Sequence, residues 1–168
     1  CGIAGIFNTN GSRANESVLK RMVDAIAHRG PDGEGYYLHN HIGLAHRRLS
    51  ILDTSNLGAQ PMQSKNGEWV VIFNGCIYNY RVLKAELQKL GHQFISTTDT
   101  EVISEGLVAW GTKVFEKFDG MFAVAALHKP SGKVILSRDR FGVKPLYYWL
   151  NGNTVLFASE IKAFMPHP

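Results

Sequence analysis

Residues 121–137 read MFAVAALHKPSGKVILS, two apolar runs joined by the turn sequence Lys129-Pro130-Ser131-Gly132. This pattern predicts a β-hairpin. Both runs are apolar almost throughout rather than alternating, so each strand is expected to be covered on both faces, as in stacked sheets. A second hairpin is expected where Asn151-Gly152-Asn153 joins runs near 146–150 and 154–158. Further strands are expected near residues 2–7, 35–38, 42–46, 69–73 and 93–97.

Three segments carry helical periodicity instead. Over 15–29, Val18, Leu19, Met22, Val23 and Ile26 share a face, with Asn15 as the cap. Residues 79–90 repeat Leu83, Leu87 and Leu90 ahead of Gly91, and residues 99–110 turn Val102, Ile103, Leu107 and Trp110 inward behind Thr98 or Asp99. The sum is a β-rich α+β domain with antiparallel hairpins and no internal repeat or linker.

Composition agrees with one packed domain. The chain has 168 residues, 45% of them hydrophobic, a net charge of +4 and two cysteines. That excludes a disordered chain and a disulfide scaffold. The positive charge is mild and dispersed, so no nucleic-acid partner is expected. No apolar run approaches the roughly 20 residues of a membrane span, so no membrane partner is expected. Residues 2–7 lack the basic start of a signal peptide, which points to a cytoplasmic protein with Cys1 and Cys76 as free thiols.

The search for chemistry starts with what is missing. No phosphate-binding GxxxxGK[ST] loop, HExxH, CxxC or GxSxG stretch occurs. The seven histidines (His28, His39, His41, His46, His92, His128, His167) show no convincing ligand spacing, so no metal site is expected and surface or packing roles suit them. Cys1 stands apart. A thiol beside a free α-amine carries its own proton acceptor, since the two groups titrate near roughly 8.5 and 8. Such a pair can attack a carboxamide and return the proton to departing ammonia. The plainer alternative is that Cys1 marks the cut end of a fragment. FNGC at 73–76 follows the strand near 69–73, and Asn-Gly at a strand end can present a side-chain amide and a backbone N–H together, as an oxyanion needs. A tight Asn-Gly turn explains the same residues.

Ten stretches occur in one order: CGIAGIF at 1–7, HRGPDG at 28–33, GLAHRRLSILD at 43–53, AQPM at 59–62, FNGCIYNY at 73–80, TDTEVI at 98–103, WG at 110–111, GMFAVA at 120–125, RDRFGVKPLYY at 138–148 and FASEIKA at 157–163. Together they resemble the N-terminal glutaminase domain of class II glutamine amidotransferases, closest to the glutamine-hydrolysing asparagine synthetase type. The resemblance covers nearly all of residues 1–168. It implies an N-terminal-nucleophile (Ntn) hydrolase, a four-layer αββα sandwich of two antiparallel sheets.

It also implies roles. Cys1 resembles the nucleophile, with its α-amine as base and then acid, and Asn74 and Gly75 resemble the oxyanion hole. Arg48 matches the residue that grips the α-carboxylate of L-glutamine. Leu49, Ser50, Ile51 and Leu52 would line the pocket, and Asp99 would receive the substrate ammonium. Arg29 would sit in a loop that closes over glutamine. Cys76 stands where the family usually has Glu, which removes a carboxylate and is expected to raise the KM for glutamine. Ammonia would pass to a C-terminal or separate ATP-dependent synthetase domain absent from this chain. ATP and magnesium belong to that domain, and no cofactor is expected here. Arg138, Asp139, Arg140 and Lys144 read as a structural ion-pair network or a docking surface. Two other readings remain: a non-catalytic glutamine-binding or docking module of the same fold, favoured by Cys76, and an amidase for another amide.

Overall fold

The computed structural model describes residues 1–50 and 55–168. Among these residues nine strands form two antiparallel sheets. β1 (Gly2–Asn8), β2 (Gly33–His39), β3 (Ile42–Arg48), β8 (Tyr147–Asn151) and β9 (Thr154–Ala158) make the first, in the order β2-β3-β1-β9-β8. β4 (Met62–Gln63), β5 (Trp69–Ile77), β6 (Gly120–His128) and β7 (Lys133–Arg138) make the second, in the order β4-β5-β6-β7. The expected hairpins are β6–β7 and β8–β9.

Alternation along the strands builds three apolar layers. Ile3, Ile42 and Leu44 of the first sheet meet Val70, Ile72, Ala123 and Ala125 of the second between the sheets. On the outer face of the first sheet, Ala4, Ile6 and Ala45 pack under Val18, Leu19, Met22 and Val23 of α1 (Glu16–Asp24). Outside the second sheet, Val71, Phe73 and Val124 pack under Leu83 and Leu87 of α2 (Tyr80–Lys89) and Val102, Ile103 and Leu107 of α3 (Asp99–Trp110). The short α4 (Val114–Lys117) adds Val114 to the same cluster. This is the four-layer αββα sandwich. No helix among the described residues is long and apolar enough to cross a membrane.

The structure differs from the sequence expectations at several places. No strand forms over 93–97: the Glu101 carboxylate takes the N–H groups of Ile95 and Ser96 at 2.9 and 2.8 Å, and Ile95 is exposed. Helix α1 stops at Asp24, and residues 27–29 form a separate tight turn before Gly30, which is extended ahead of Pro31. β5 does not end at Phe73 but runs through Asn74-Gly75 to Ile77. Leu90, read as part of an apolar stripe, is exposed beyond the last turn of α2.

The two-sheet stack depends on one close approach. A Cβ at Gly5 would fall 2.1 Å from the Phe157 ring, which is fully buried. Gly5 thus leaves room on β1 for the largest side chain of the inter-sheet core. Phe157→Ala is expected to destabilise the chain by about 3–5 kcal/mol, through lost burial and a residual cavity. Chemical denaturation of the two proteins measures that difference.

Candidate active site

The second sheet is incomplete at the edge where the site forms. β4 pairs only with Val70 and Val71 of β5, so among the described residues no strand lies beside the outer edge of β5 beyond Val71. Its N–H groups must find other acceptors. Phe73 N–H donates to Gln60 Oε1 at 2.6 Å, and Ile77 N–H donates to Asp99 Oδ2 at 3.0 Å. Since N–H groups two residues apart face the same side, the Gly75 N–H lies on that edge between them. Gln60 Nε2 in turn donates to Thr100 Oγ1 at 3.2 Å, tying the segment to the first turn of α3.

From the first sheet, register places the opposing groups. Ile3 stands opposite His46 and faces the inter-sheet core. Alternation then turns Cys1, His46 and Arg48 to the same inner face and Arg47 to the outer one. Arg47 pairs there with Asp24 at 2.6 Å and Glu34 at 2.7 Å, while Arg48 Nη2 donates to the Ser55 carbonyl at 2.8 Å. The two adjacent arginines thus do different work.

Cys1, Arg48, Asn74, Gly75, Cys76 and Asp99 line one cavity of about 160 Å³, together with Leu49 and Ser50. The Leu49 N–H donates to Cys1 Sγ at 3.3 Å, and Ser50 N–H donates to Asp32 Oδ2 at 2.8 Å. Ile51 and Leu52 lie outside the described residues. Arg29 is not among the residues that line the cavity. It sits in the 27–29 turn, donating through Nε to the Cys1 carbonyl at 3.0 Å and through Nη1 to Glu160 at 2.9 Å. Its geometry anchors the Cys1 end of β1 against the segment after β9. Asn74 Nδ2 is buried and has no hydrogen-bond partner among the described residues.

The electrostatics suit proton transfer. Burial, reinforced by Arg29 and Lys144 and opposed by Asp32, lowers the Cys1 α-amine from 8.0 to about 6. At neutral pH the amine is therefore a free base beside the thiol. Burial likewise raises Asp99 to about 6, against the backbone N–H groups of Ile77, Asp99 and Thr100. The Asp99 charge is present above that pH. Burial and the nearby Asp99 push the Cys76 thiol upward, with Lys144 opposing, so it stays neutral. Asp99 is the single carboxylate among the described residues that line the cavity. A half-buried thiol with an adjacent base, an unspent amide donor, two cations and one carboxylate can bind a small zwitterion and attack its side chain.

Three contributors escaped the sequence reading. His46 lines the cavity and is buried, although it reads as a packing or surface histidine. Its place two residues before Arg48 on the same strand face was the available signal. Gln60 in AQPM supplies the acceptor for the free strand edge. Lys144 lines the cavity because Asp139 shapes its loop. Asp139 is buried, which alone would raise its carboxyl. The N–H groups of Lys144, Val143, Phe122 and Phe141, at 2.9 to 3.2 Å, overcome that and hold it below its ordinary value. The expected ion-pair network is thus a backbone cradle. No salt bridge joins Arg138, Asp139, Arg140 or Lys144 among the described residues.

The arrangement makes a direct electrostatic prediction. Arg29→Met is expected to raise the α-amine pKa from about 6, because a neighbouring cation no longer disfavours the ammonium. It stays below 8.0, since burial is the larger cause. A ¹⁵N NMR titration of the Cys1 amine measures both.

Comparison with known proteins gives the same picture. The glutamine amidotransferase domain family matches residues 1–168. The chain is 46% identical to asparagine synthetase [glutamine-hydrolyzing] 2 of Bacillus subtilis (strain 168), covering 100% of this chain and 22% of that protein. It is 40% identical to asparagine synthetase [glutamine-hydrolyzing] 1 of the same organism, covering 98% of this chain and 26% of the relative. The chain therefore spans about a quarter of the length of these curated relatives. Among solved structures, the glutamine phosphoribosylpyrophosphate amidotransferase of B. subtilis superposes with a TM-score of 0.82 at 21% identity, covering 98% of this chain and 43% of that one. The structure of the allosteric regulatory enzyme of purine biosynthesis superposes at 0.84 with 20% identity, covering 99% of this chain and 43% of that one. Those two likenesses establish the Ntn fold, and the match along residues 1–168 establishes more: the chain belongs to the glutamine amidotransferase domain family.

Proposed function

We propose that the chain hydrolyses L-glutamine to L-glutamate and ammonia through a Cys1 γ-glutamyl thioester. The observation that carries this reading is one cavity holding Cys1, its deprotonated amine, Asn74, Arg48 and Asp99. Arg48 pairs with the α-carboxylate of glutamine, and Asp99 with its α-ammonium. The side-chain amide then reaches Cys1. The α-amine takes the thiol proton as sulfur attacks the amide carbon, and the Asn74 amide and Gly75 N–H receive the developing oxyanion. Asn74 Nδ2 has no partner among the described residues to give up, so its hydrogen bond is gained in full as the oxyanion forms. The protonated amine delivers its proton to the leaving ammonia. Water then hydrolyses the thioester.

The ammonia supplies an ATP-dependent synthetase of the asparagine synthetase type, in a domain outside this chain. ATP and magnesium would bind there. The two free thiols suit the reducing cytoplasm.

Glutamate release from L-glutamine by the purified chain, beside Cys1→Ala, tests the reading. The parent is expected to release glutamate and the variant none above background. Release by the variant sinks the assignment of the nucleophile, and a silent parent that still binds glutamine makes the chain a binding module. The pH profile adds a signature. Both the amine and Asp99 must be deprotonated and both titrate near 6, so kcat/KM should fall below that pH more steeply than one ionisation allows. Asp99→Asn should flatten that limb to a single ionisation and raise KM.

Cys76 sets a second expectation. Cys76→Glu places another carboxylate in the cavity and should lower the KM for glutamine several-fold. It should also move the acid limb to higher pH, because a like charge disfavours ionisation of Asp99. An unchanged KM would show that the residue at 76 does not touch the substrate ammonium.

A further inference from the structure

The inner face of β3 runs Ile42, Leu44, His46, Arg48. The first two belong to the inter-sheet core, and Arg48 lines the cavity. His46 stands at the boundary, only 1% exposed. Neither of its ring nitrogens makes a hydrogen bond of normal geometry to any described residue. Apart from the two nitrogens of this imidazole, Asn74 Nδ2 is the remaining buried side-chain polar atom without a partner among the described residues. All three belong to the cavity at Cys1. Buried polar groups cost free energy when unpaired, and native proteins satisfy them with a bound polar molecule where the site is roomy enough. The Asn74 amide is spent on the oxyanion in the reading above. His46 has no task there.

Its chemistry narrows what it can do. Burial, followed by the charge of the Cys1 ammonium and by Arg48, lowers its pKa to about 3, with only the Phe73 carbonyl opposing. The ring is therefore neutral under working conditions, offering one donor and one acceptor. It is suited to hold a small molecule rather than to exchange protons. The ring and Cys1 line the same cavity, and Ile3, two residues after Cys1, stands opposite His46 in the β1–β3 register.

We propose that His46 is a positioning residue for thioester hydrolysis: its imidazole holds the attacking water between itself and the Cys1 α-amine. The inference rests on the glutaminase reading. Once ammonia has left, the amine is again a free base. It takes one proton from the held water while the water oxygen bonds to the thioester carbon. The carbon–sulfur bond then breaks, glutamate forms, and the amine returns the proton to the Cys1 sulfur. Acylation needs no water and therefore does not need His46.

Two variants test this, each compared with the parent for glutamate release, acid-quenched intact mass and release in hydroxylamine. His46→Phe removes both nitrogens at similar size, and His46→Gln keeps a polar group in a different place. Glutamate release is expected to fall by about 10- to 100-fold, the usual effect of losing the placement of a reactant. The γ-glutamyl thioester should accumulate on Cys1 in the variants and not in the parent. Hydroxylamine, a stronger nucleophile that needs no held water, should restore turnover as γ-glutamyl hydroxamate. A fall in rate without thioester and without hydroxylamine rescue, or no fall at all, overturns the proposal. If His46→Phe loses its cooperative thermal transition, the same criteria apply to His46→Gln. A parent silent towards glutamine overturns the glutaminase reading and this inference with it. An active parent whose variants fail the criteria overturns this inference alone.

Discussion

Beyond Val71 no strand among the described residues flanks the edge of β5, and the backbone N–H groups there set the terms for everything around the cavity. A strand edge left bare in this way normally invites another chain. Here two side chains, Gln60 and Asp99, accept from Phe73 and Ile77. The Gly75 N–H between them is the one left to face the cavity. Satisfying the edge also fixes Asp99 at the start of α3, where it is buried deeply enough to titrate near neutrality. The same constraint therefore produces a hydrogen-bond donor and a carboxylate side by side.

The opposing wall depends on period-two geometry in β1 and β3. Arg47 and Arg48 are neighbours in sequence but face opposite sides of the sheet. One is neutralised by Asp24 and Glu34 under α1, and the other enters the cavity. Burial lowers the Cys1 amine and raises Asp99 toward the same value. One physical cause thus tunes a base and an anion in opposite directions, because burial disfavours charge of either sign.

Much of this was legible in the sequence because it rests on local patterns. The apolar runs at 121–128 and 133–137 gave the β6–β7 hairpin, and the spacing of Val102, Ile103 and Leu107 gave α3. Only β6 is covered on both faces, however, since β7 lies at the sheet edge and is no more than half-buried. What failed did so where side chains replace backbone partners. The segment 93–97 looks like a strand, yet Glu101 takes its N–H groups. Asp139 looks like one member of an ion-pair cluster, yet it binds backbone. The cavity residues named from the family's motifs are brought together, while Arg29 is not among the residues that line the cavity. His46 was missed because its one signal, a place two residues before Arg48 on the same strand face, is weak by itself. Its meaning appears only when β3 is laid beside β1.

The position of β1 has a consequence for how the molecule comes to be folded. It is the middle strand of its sheet, bonded on one side to β3 and on the other to β9, and the Cys1 carbonyl is held by Arg29, itself clamped by Glu160. Residues of β1 must therefore wait for partners far along the chain, Ala4 for Ala158. Pairings of such long sequence separation form slowly, and an emerging chain presents β1 with one flank open until β9 arrives. The strand that follows the nucleophile is made well before β9, which completes its pairing, so a functioning site would report that the whole sandwich has closed.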